Sequence, residues 1–177
     1  MEAALQHLHA LLDAAAPRVG PDHFLLPVAD AHAVYRERVY CYELYHQLRC
    51  LWDGFPFSLG GEVDKAGNPH FADGPYSNSE PDFLVHRPGT MDANLAVLEV
   101  KAGTVTLRGI RDDLQKLGWF CREARYFRGI LLVFGNGGTD EEMAAKVRRA
   151  DGVNVDLRSL DCLYHRQCGE RPVRLGL

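Results

Sequence analysis

No stretch of this 177-residue chain reaches eighteen consecutive apolar residues, which excludes an ordinary transmembrane helix and predicts no membrane role. The opening Met1-Glu2-Ala3-Ala4 has no basic segment, and Gln6, His7 and His9 interrupt any apolar run behind it, so no secretory signal peptide is expected. Cysteines are few, odd in number and widely spaced: Cys41, Cys50, Cys121, Cys162 and Cys168. This argues against a disulfide frame and for reduced thiols in a cytoplasmic protein. With 17 glycines and 9 prolines the chain has enough for turns and too few for low complexity. There is no internal repeat, no long linker and no recognisable DNA-reading module. What is present is ordinary globular composition, 46% hydrophobic and 25% charged. A single domain over residues 1–177 is expected, large enough to hold a core without metal or disulfide.

Charge is unevenly distributed within a net of −4. Residues 1–100 carry 6 lysines and arginines against 14 acidic groups, and residues 101–177 carry 14 against 10. A polyanion would be attracted to the C-terminal half alone.

Leu5, Leu8, Leu11 and Leu12 recur at helical spacing, predicting a helix over residues 2–16 that Pro17 stops. A second helix is expected from an Asp30 N-cap to Trp52, because Val34, Glu37, Cys41, Leu44, Leu48 and Leu51 form one stripe. Glu37 is its single charged member. Strands are expected at 57–63, 82–86, 94–101 and 127–134, with the near-continuous apolar run Asn94 to Lys101 central. Residues 65–79, rich in Gly, Pro, Asn and Asp, read as a loop. Helices are expected over 106–124 and from a Thr139–Glu142 capping box to Ala150. A last central strand is expected at 153–156, and the tail 157–177 is ambiguous. The order α, α, β, β, β, α, β, α, β predicts an α/β (α+β) fold: a central mixed sheet flanked by helices, with the helix 2–16 packed on a core spanning about 30–156.

The informative residues are Asp82, Glu99 and Lys101. Glu99 and Lys101 are two apart on a strand, so both leave one face, while Val100 points to the other. Charges in a strand this apolar are costly unless the site has work for them. A hairpin-like return over residues 88–93 would bring Asp82 beside Glu99. Two carboxylates and the Val100 carbonyl make a hard oxygen site of the kind Mg²⁺ or Mn²⁺ prefers. Such a cation activates water and neutralises a phosphate, and Lys101 would orient or deprotonate that water or stabilise the transition state.

Pro81-Asp82, followed after sixteen residues by Glu99-Val100-Lys101, resembles the motif of the PD-(D/E)XK nuclease superfamily, in particular its small bacterial members. The resemblance covers roughly residues 30–135. It implies a restriction-endonuclease-like core and a metal-dependent nuclease hydrolysing phosphodiester bonds, in DNA more than RNA. It also implies a helix glutamate near the metal, for which Glu37 is preferred over Glu43 because it lies on the apolar stripe. A polar residue on the following helix is implied as well, for which Gln115 is preferred over Lys116. The expected catalytic set is thus Asp82, Glu99, Lys101, Glu37 and Gln115. Asp82, Glu99, Val100 and Glu37 are expected around the metal. The family's habits add a protein partner in a defence or repair assembly. Cutting both strands of a duplex takes two active sites or two visits, so a homodimer is one arrangement. The alternative function is a catalytically silent binding module on the same fold.

Further candidates carry bland alternatives beside them. Glu62 could be another acidic ligand or an ordinary strand-edge acid. His86 could touch substrate, or be structural. Arg108, Arg111, Lys116, Arg122, Arg125 and Arg128 make residues 106–128 basic, which suits phosphate contacts but also an ordinary solvated helix. Cys162, His165 and Cys168 lack the fourth ligand a structural zinc needs. Gly135-Asn136-Gly137-Gly138 lacks the ending of a phosphate loop.

Overall fold

The longest strand of the chain lies in the middle of the architecture. A computed structural model describes residues 1–62, 75–76, 79–90, 92–150 and 156–176. In it Asn94–Ala102 is the longest strand, β3, buried along nearly its whole length. In chain order β1 is Ser58–Gly61, β2 Phe83–His86, β4 Arg128–Phe134, β5 Leu160–His165 and β6 Val173–Arg174. These strands form one sheet in the order β1-β2-β3-β4-β5-β6. β1, β2 and β3 alternate in direction, β3, β4 and β5 are parallel, and β6 returns antiparallel to β5.

The helices are α1 (Glu2–Ala15), the single turn α2 (Pro21–Phe24), α3 (Glu37–Leu51), α4 (Leu107–Arg122) and α5 (Asp140–Ala150). Strand parity sorts them into layers. Ala96, Leu98, Val100 and Ala102 of β3 pack with Leu5, Leu8 and Leu12 of α1 and Tyr40, Leu44 and Leu48 of α3. Val97, with Leu131 and Val133 of β4, packs with Ile110, Leu114 and Leu117 of α4 and Met143 and Val147 of α5. The expected mixed sheet with flanking helices is therefore present. Each such aliphatic side chain, fully buried, contributes about 1.5–3 kcal/mol, which sets the scale for any charge placed among them. Among the described residues no helix is long and apolar enough to cross a membrane.

The turn out of β3 is set by a close approach. A Cβ on Gly103 would lie 2.5 Å from both the Gly135 carbonyl oxygen and Asn136 Cβ. Only glycine lets the two loops at the ends of β3 and β4 meet. Thr106 then caps α4, its hydroxyl accepting from the Gly109 amide at 3.1 Å. At α5 the Thr139–Glu142 box forms in both directions, at 2.8 and 3.2 Å.

Two expectations are corrected. The second helix does not begin at Asp30. Leu26 and Val34 exchange backbone hydrogen bonds of 2.9 Å in each direction, and Asp30 adopts a left-handed φ of 57° inside the loop they close. That bridge takes Val34 out of the helical stripe, and α3 starts at Glu37. The region read as an ambiguous tail supplies β5 and β6. Of the strand expected at 153–156, residues 153–155 lie outside the described residues, as does most of the 65–79 loop.

Candidate active site

Parity places Glu99 and Lys101 on the α4 face of β3, while Val100 is buried in the opposite layer with α1 and α3. Phe83 pairs with Leu98 across the β2–β3 ladder, so the next rung sets Asp82 opposite Glu99 on that same face. Asp82 is held there by the backbone: its Oδ2 accepts from the Val100 amide at 2.7 Å.

Helix α4 completes the cluster. Asp113 and Lys116, three apart and so on one side of the helix, both face β3. Lys116 Nζ lies 2.8 Å from Glu99 Oε1 and 4.0 Å from Asp113 Oδ1. Lys101 Nζ lies 3.6 Å from Asp113 Oδ2 and 3.3 Å from Glu37 Oε2. Glu37 opens α3, where the helix dipole favours a carboxylate, and reaches round the end of the sheet. Its Oε1 accepts from the Ala102 amide at 3.2 Å. Four carboxylates and two ammonium groups therefore gather at the C-terminal half of the central strand, where open α/β sheets generally bind ligands.

Burial dominates the electrostatics. Glu99 is 2% exposed, and burial pushes its carboxyl up to about 8 despite Lys116, with Asp82 and Asp113 adding repulsion. Asp113 is pushed up to about 6 for the same reason, against the pull of both lysines. Asp82 is also raised by burial, opposed by the Val100 amide and the lysines. Burial pulls the Lys101 ammonium down, but Asp113, Glu37, Asp82 and Glu99 together hold it above its ordinary value. These carboxylates thus favour the charged ammonium of Lys101. Glu99 Oε1 and Asp113 Oδ2 are buried without a geometrically formed hydrogen bond, although each has an ammonium nearby.

Several site expectations can now be placed. Glu37 joins the cluster, whereas Glu43 accepts from Gln47 at 2.7 Å and lies 4.0 Å from His23. Gln115 does not join it; Lys116 holds that position. At 3.6 residues per turn, Lys116 lies about 60° round the helix from Asp113, which faces the cluster, whereas Gln115 lies about 160° away. Asp113 was missed for the want of a test already applied to Glu37: an acid at the edge of an apolar stripe. Glu62 pairs with Arg38 at 3.1 Å, and its amide donates to the Asp82 carbonyl at 3.2 Å, so it adjoins the site without entering the cluster. His86 sits at the far end of β2, its Nδ1 3.5 Å from the Tyr126 hydroxyl. Of the basic segment, Arg111 donates to the Ala150 carbonyl, Lys116 faces Glu99, and Arg128 lies 3.7 Å from Asp161. Those three are committed inside the fold. Cys162 and His165 leave opposite faces of β5, so parity also opposes a zinc site there.

Among the described residues, no three His, Cys, Asp or Glu side chains form a ready-made metal cluster; the lysines pair with the carboxylates instead. The chain matches no protein-family model and no curated protein.

Proposed function

We propose that this protein is a Mg²⁺- or Mn²⁺-dependent nuclease of the PD-(D/E)XK kind, hydrolysing phosphodiester bonds in DNA more readily than in RNA. The observation that carries the reading is the charge of this cluster, three of whose four carboxylates are largely buried. Glu37, Asp82, Glu99 and Asp113 outnumber Lys101 and Lys116 by two when all are ionised. Burial raises Asp82, Glu99 and Asp113, with repulsion among the acids adding to it against the pull of the lysines. A divalent cation supplies the missing charge, and carboxylate oxygens are the donors it prefers. Asp82, Glu99 and the Val100 carbonyl, with Glu37, would hold it. Bound there, the cation would lower the pKa of an attacking water and neutralise charge on the phosphate.

The chain's own residues account for the rest. The Val100 amide fixes the Asp82 carboxylate against rotation. Glu37 anchors both the Ala102 amide and the Lys101 ammonium, which sets Lys101 at the rim of the carboxylates. A protonated Lys101 stabilises negative charge as it grows on the phosphoryl oxygens. The observation on the other side is the 2.8 Å Lys116–Glu99 pair, which engages a carboxylate oxygen that a cation would use. A silent, binding-only form of the fold is accordingly the second reading.

Cleavage of DNA and RNA, with and without Mn²⁺, separates the two. Lys101→Ala is expected to lower the cleavage rate by about 10²–10³, the cost of removing a group that acts on transition-state charge. Its nucleic-acid binding should stay within about tenfold of wild type. Asp82→Asn should remove most of the rise in melting temperature that Mn²⁺ produces. Wild-type protein that binds nucleic acid in Mn²⁺ but cuts neither polymer would overturn the catalytic reading.

A further inference from the structure

Beside the carboxylate cluster lies a second feature that the chemistry above does not use. A cavity of about 250 Å³ opens between α3 and the ends of β1 and β2, walled by Cys41, Tyr42, Tyr45, Gly61, Asp82 and Phe83. Asp82 belongs to both places: it lines the cavity, and its carboxylate is held at the cluster by the Val100 amide. Whatever fills the cavity is therefore an immediate neighbour of whatever is bound at Asp82 and Glu99.

Tyr42 and Tyr45 are three apart on α3, and both line the cavity with Cys41. Tyr45 is fixed, with its hydroxyl donating to the Leu59 carbonyl at 3.4 Å and its ring stacked on Phe83 at 6.3 Å and 18°. Tyr42 stands at the mouth with 59% of its surface exposed, the most exposed large hydrophobic residue described. A single exposed aromatic ring needs no explanation by itself; what gives Tyr42 a use is that it lines the pocket and leaves one ring face free for a flat group to stack on. Arg38, one turn before Tyr42, adds an exposed cation outside the pocket, 3.1 Å from Glu62.

The walls also specify the occupant. The cavity lining includes two acids, Asp82 and Glu62, the latter paired with Arg38, and, among the described residues, no lysine, arginine or histidine that would take a phosphate. The remaining walls are aromatic or apolar. The volume is below the roughly 300–1,000 Å³ of pockets for drug-sized ligands, so it suits one planar ring system rather than a whole nucleotide. A neutral, flat, stackable group next to a phosphodiester site is a nucleobase. Aromatic stacking with a cation alongside is the general means by which proteins hold single strands. A base inside a duplex is already stacked and paired, and could enter only after leaving the helix.

We propose that this pocket takes an unpaired nucleobase of the strand being cut, stacked on Tyr42, so that single-stranded or locally unpaired nucleic acid is the preferred substrate form. The inference rests on the nuclease reading for the identity of the neighbouring phosphate.

The test measures binding, in Ca²⁺, of an oligothymidylate and of an abasic oligomer of equal length to the full chain. Wild type should bind the thymidylate about 5–100-fold more tightly, the range that one stacked base supplies. Tyr42→Ala should bring the two affinities together by weakening the thymidylate alone, and Tyr42→Phe should keep the preference. Tyr42 is exposed enough that neither change threatens folding. An equal loss on both oligomers in Tyr42→Ala, or an undiminished preference, would overturn the pocket. So would duplex bound and cut better than single strand. Cleavage in Mn²⁺ keeps the two ideas apart. Protein that cuts DNA but shows no Tyr42-dependent base preference loses the pocket alone. Protein that shows the preference but never cuts keeps the pocket and loses the nuclease reading.

Discussion

The two faces of the sheet both bury titratable side chains, and they do so by opposite means. Under α3, His165 is fully buried, shares a 2.7 Å hydrogen bond with the Tyr40 hydroxyl, and meets Phe24 edge-on at 4.9 Å. Tyr40 in turn stacks on Phe134 at 4.0 Å. Burial pushes His165 down to about 4, so the ring is neutral; Tyr40 meets its Nδ1, while its Nε2 is buried without a geometrically formed hydrogen bond. Under α4, three carboxylates are pushed up yet share their space with two lysines. A fold that needed only stability would have placed apolar side chains there, since replacing buried ion pairs by well-packed hydrophobic groups is often neutral or stabilising. The aromatic face thus shows how this protein buries polarity for structure. The charged face departs from that habit, and strongly perturbed groups of this kind mark candidate functional sites.

The comparison can be tested by stability measurements in metal-free buffer. The largest effect is expected above about pH 9, where Glu99 is ionised: Lys116→Met then strips it of its partner and should cost about 3 kcal/mol in denaturant unfolding. A variant as stable as wild type at that pH would mean that Glu99 stays neutral even there and that the two faces follow one rule after all.

Next comes the pH profile, because the two faces have opposite signs. The folded pKa of His165, about 4, lies below the ordinary value of roughly 6.5, so the unfolded chain takes up a proton that the native state refuses. Its stability contribution is full above pH 6.5 and falls by about 2–3 kcal/mol as pH drops to 4. Glu99, raised to about 8, binds its proton more tightly when folded, so stability falls as pH rises from the ordinary glutamate range through 8. Between pH 6.5 and 8.5 that limb should cost about 1–2 kcal/mol. Unfolding curves across pH should show His165→Phe losing the acid limb and Glu99→Gln losing the alkaline one. Exchange of the two limbs between the variants would refute the assignment. The smallest effect sharpens the aromatic side. Tyr40→Phe keeps the stack on Phe134 and deletes one buried hydrogen bond, for about 1 kcal/mol, with the midpoint shifted and the denaturant slope unchanged.

Much of this was legible in one dimension, and the parts that were not have a common cause. The apolar run of β3, the capping box of α5 and the alternation that sends Glu99 and Lys101 one way and Val100 the other are local properties. Strand period and helix period act over a few residues, so the sequence by itself determined the mixed α/β character, the central strand and the pairing of Asp82 with Glu99 across a short return. It also marked Glu37 as an acid on an apolar face. The start of α3 was not legible, because a pair of backbone hydrogen bonds between Leu26 and Val34 outweighs the helical spacing of Val34. β5 was missed because Asp161 and His165 make it look like an ordinary polar tail. They are tolerated in a strand only because His9 and Arg174 lie 3.0 Å from Asp161 and Tyr40 meets His165, partners up to 152 positions away. The same holds for the candidate site. Which residue of α4 reaches Glu99 depends on how that helix is rotated against the sheet, and its rotation is set by packing of Ile110, Leu114 and Leu117 on β3 and β4. Tertiary structure alone therefore chose Lys116 over Gln115 and brought Asp113 in. It also left Tyr42 in water beside Asp82, since contacts between elements far apart in the chain leave no periodic trace in the sequence.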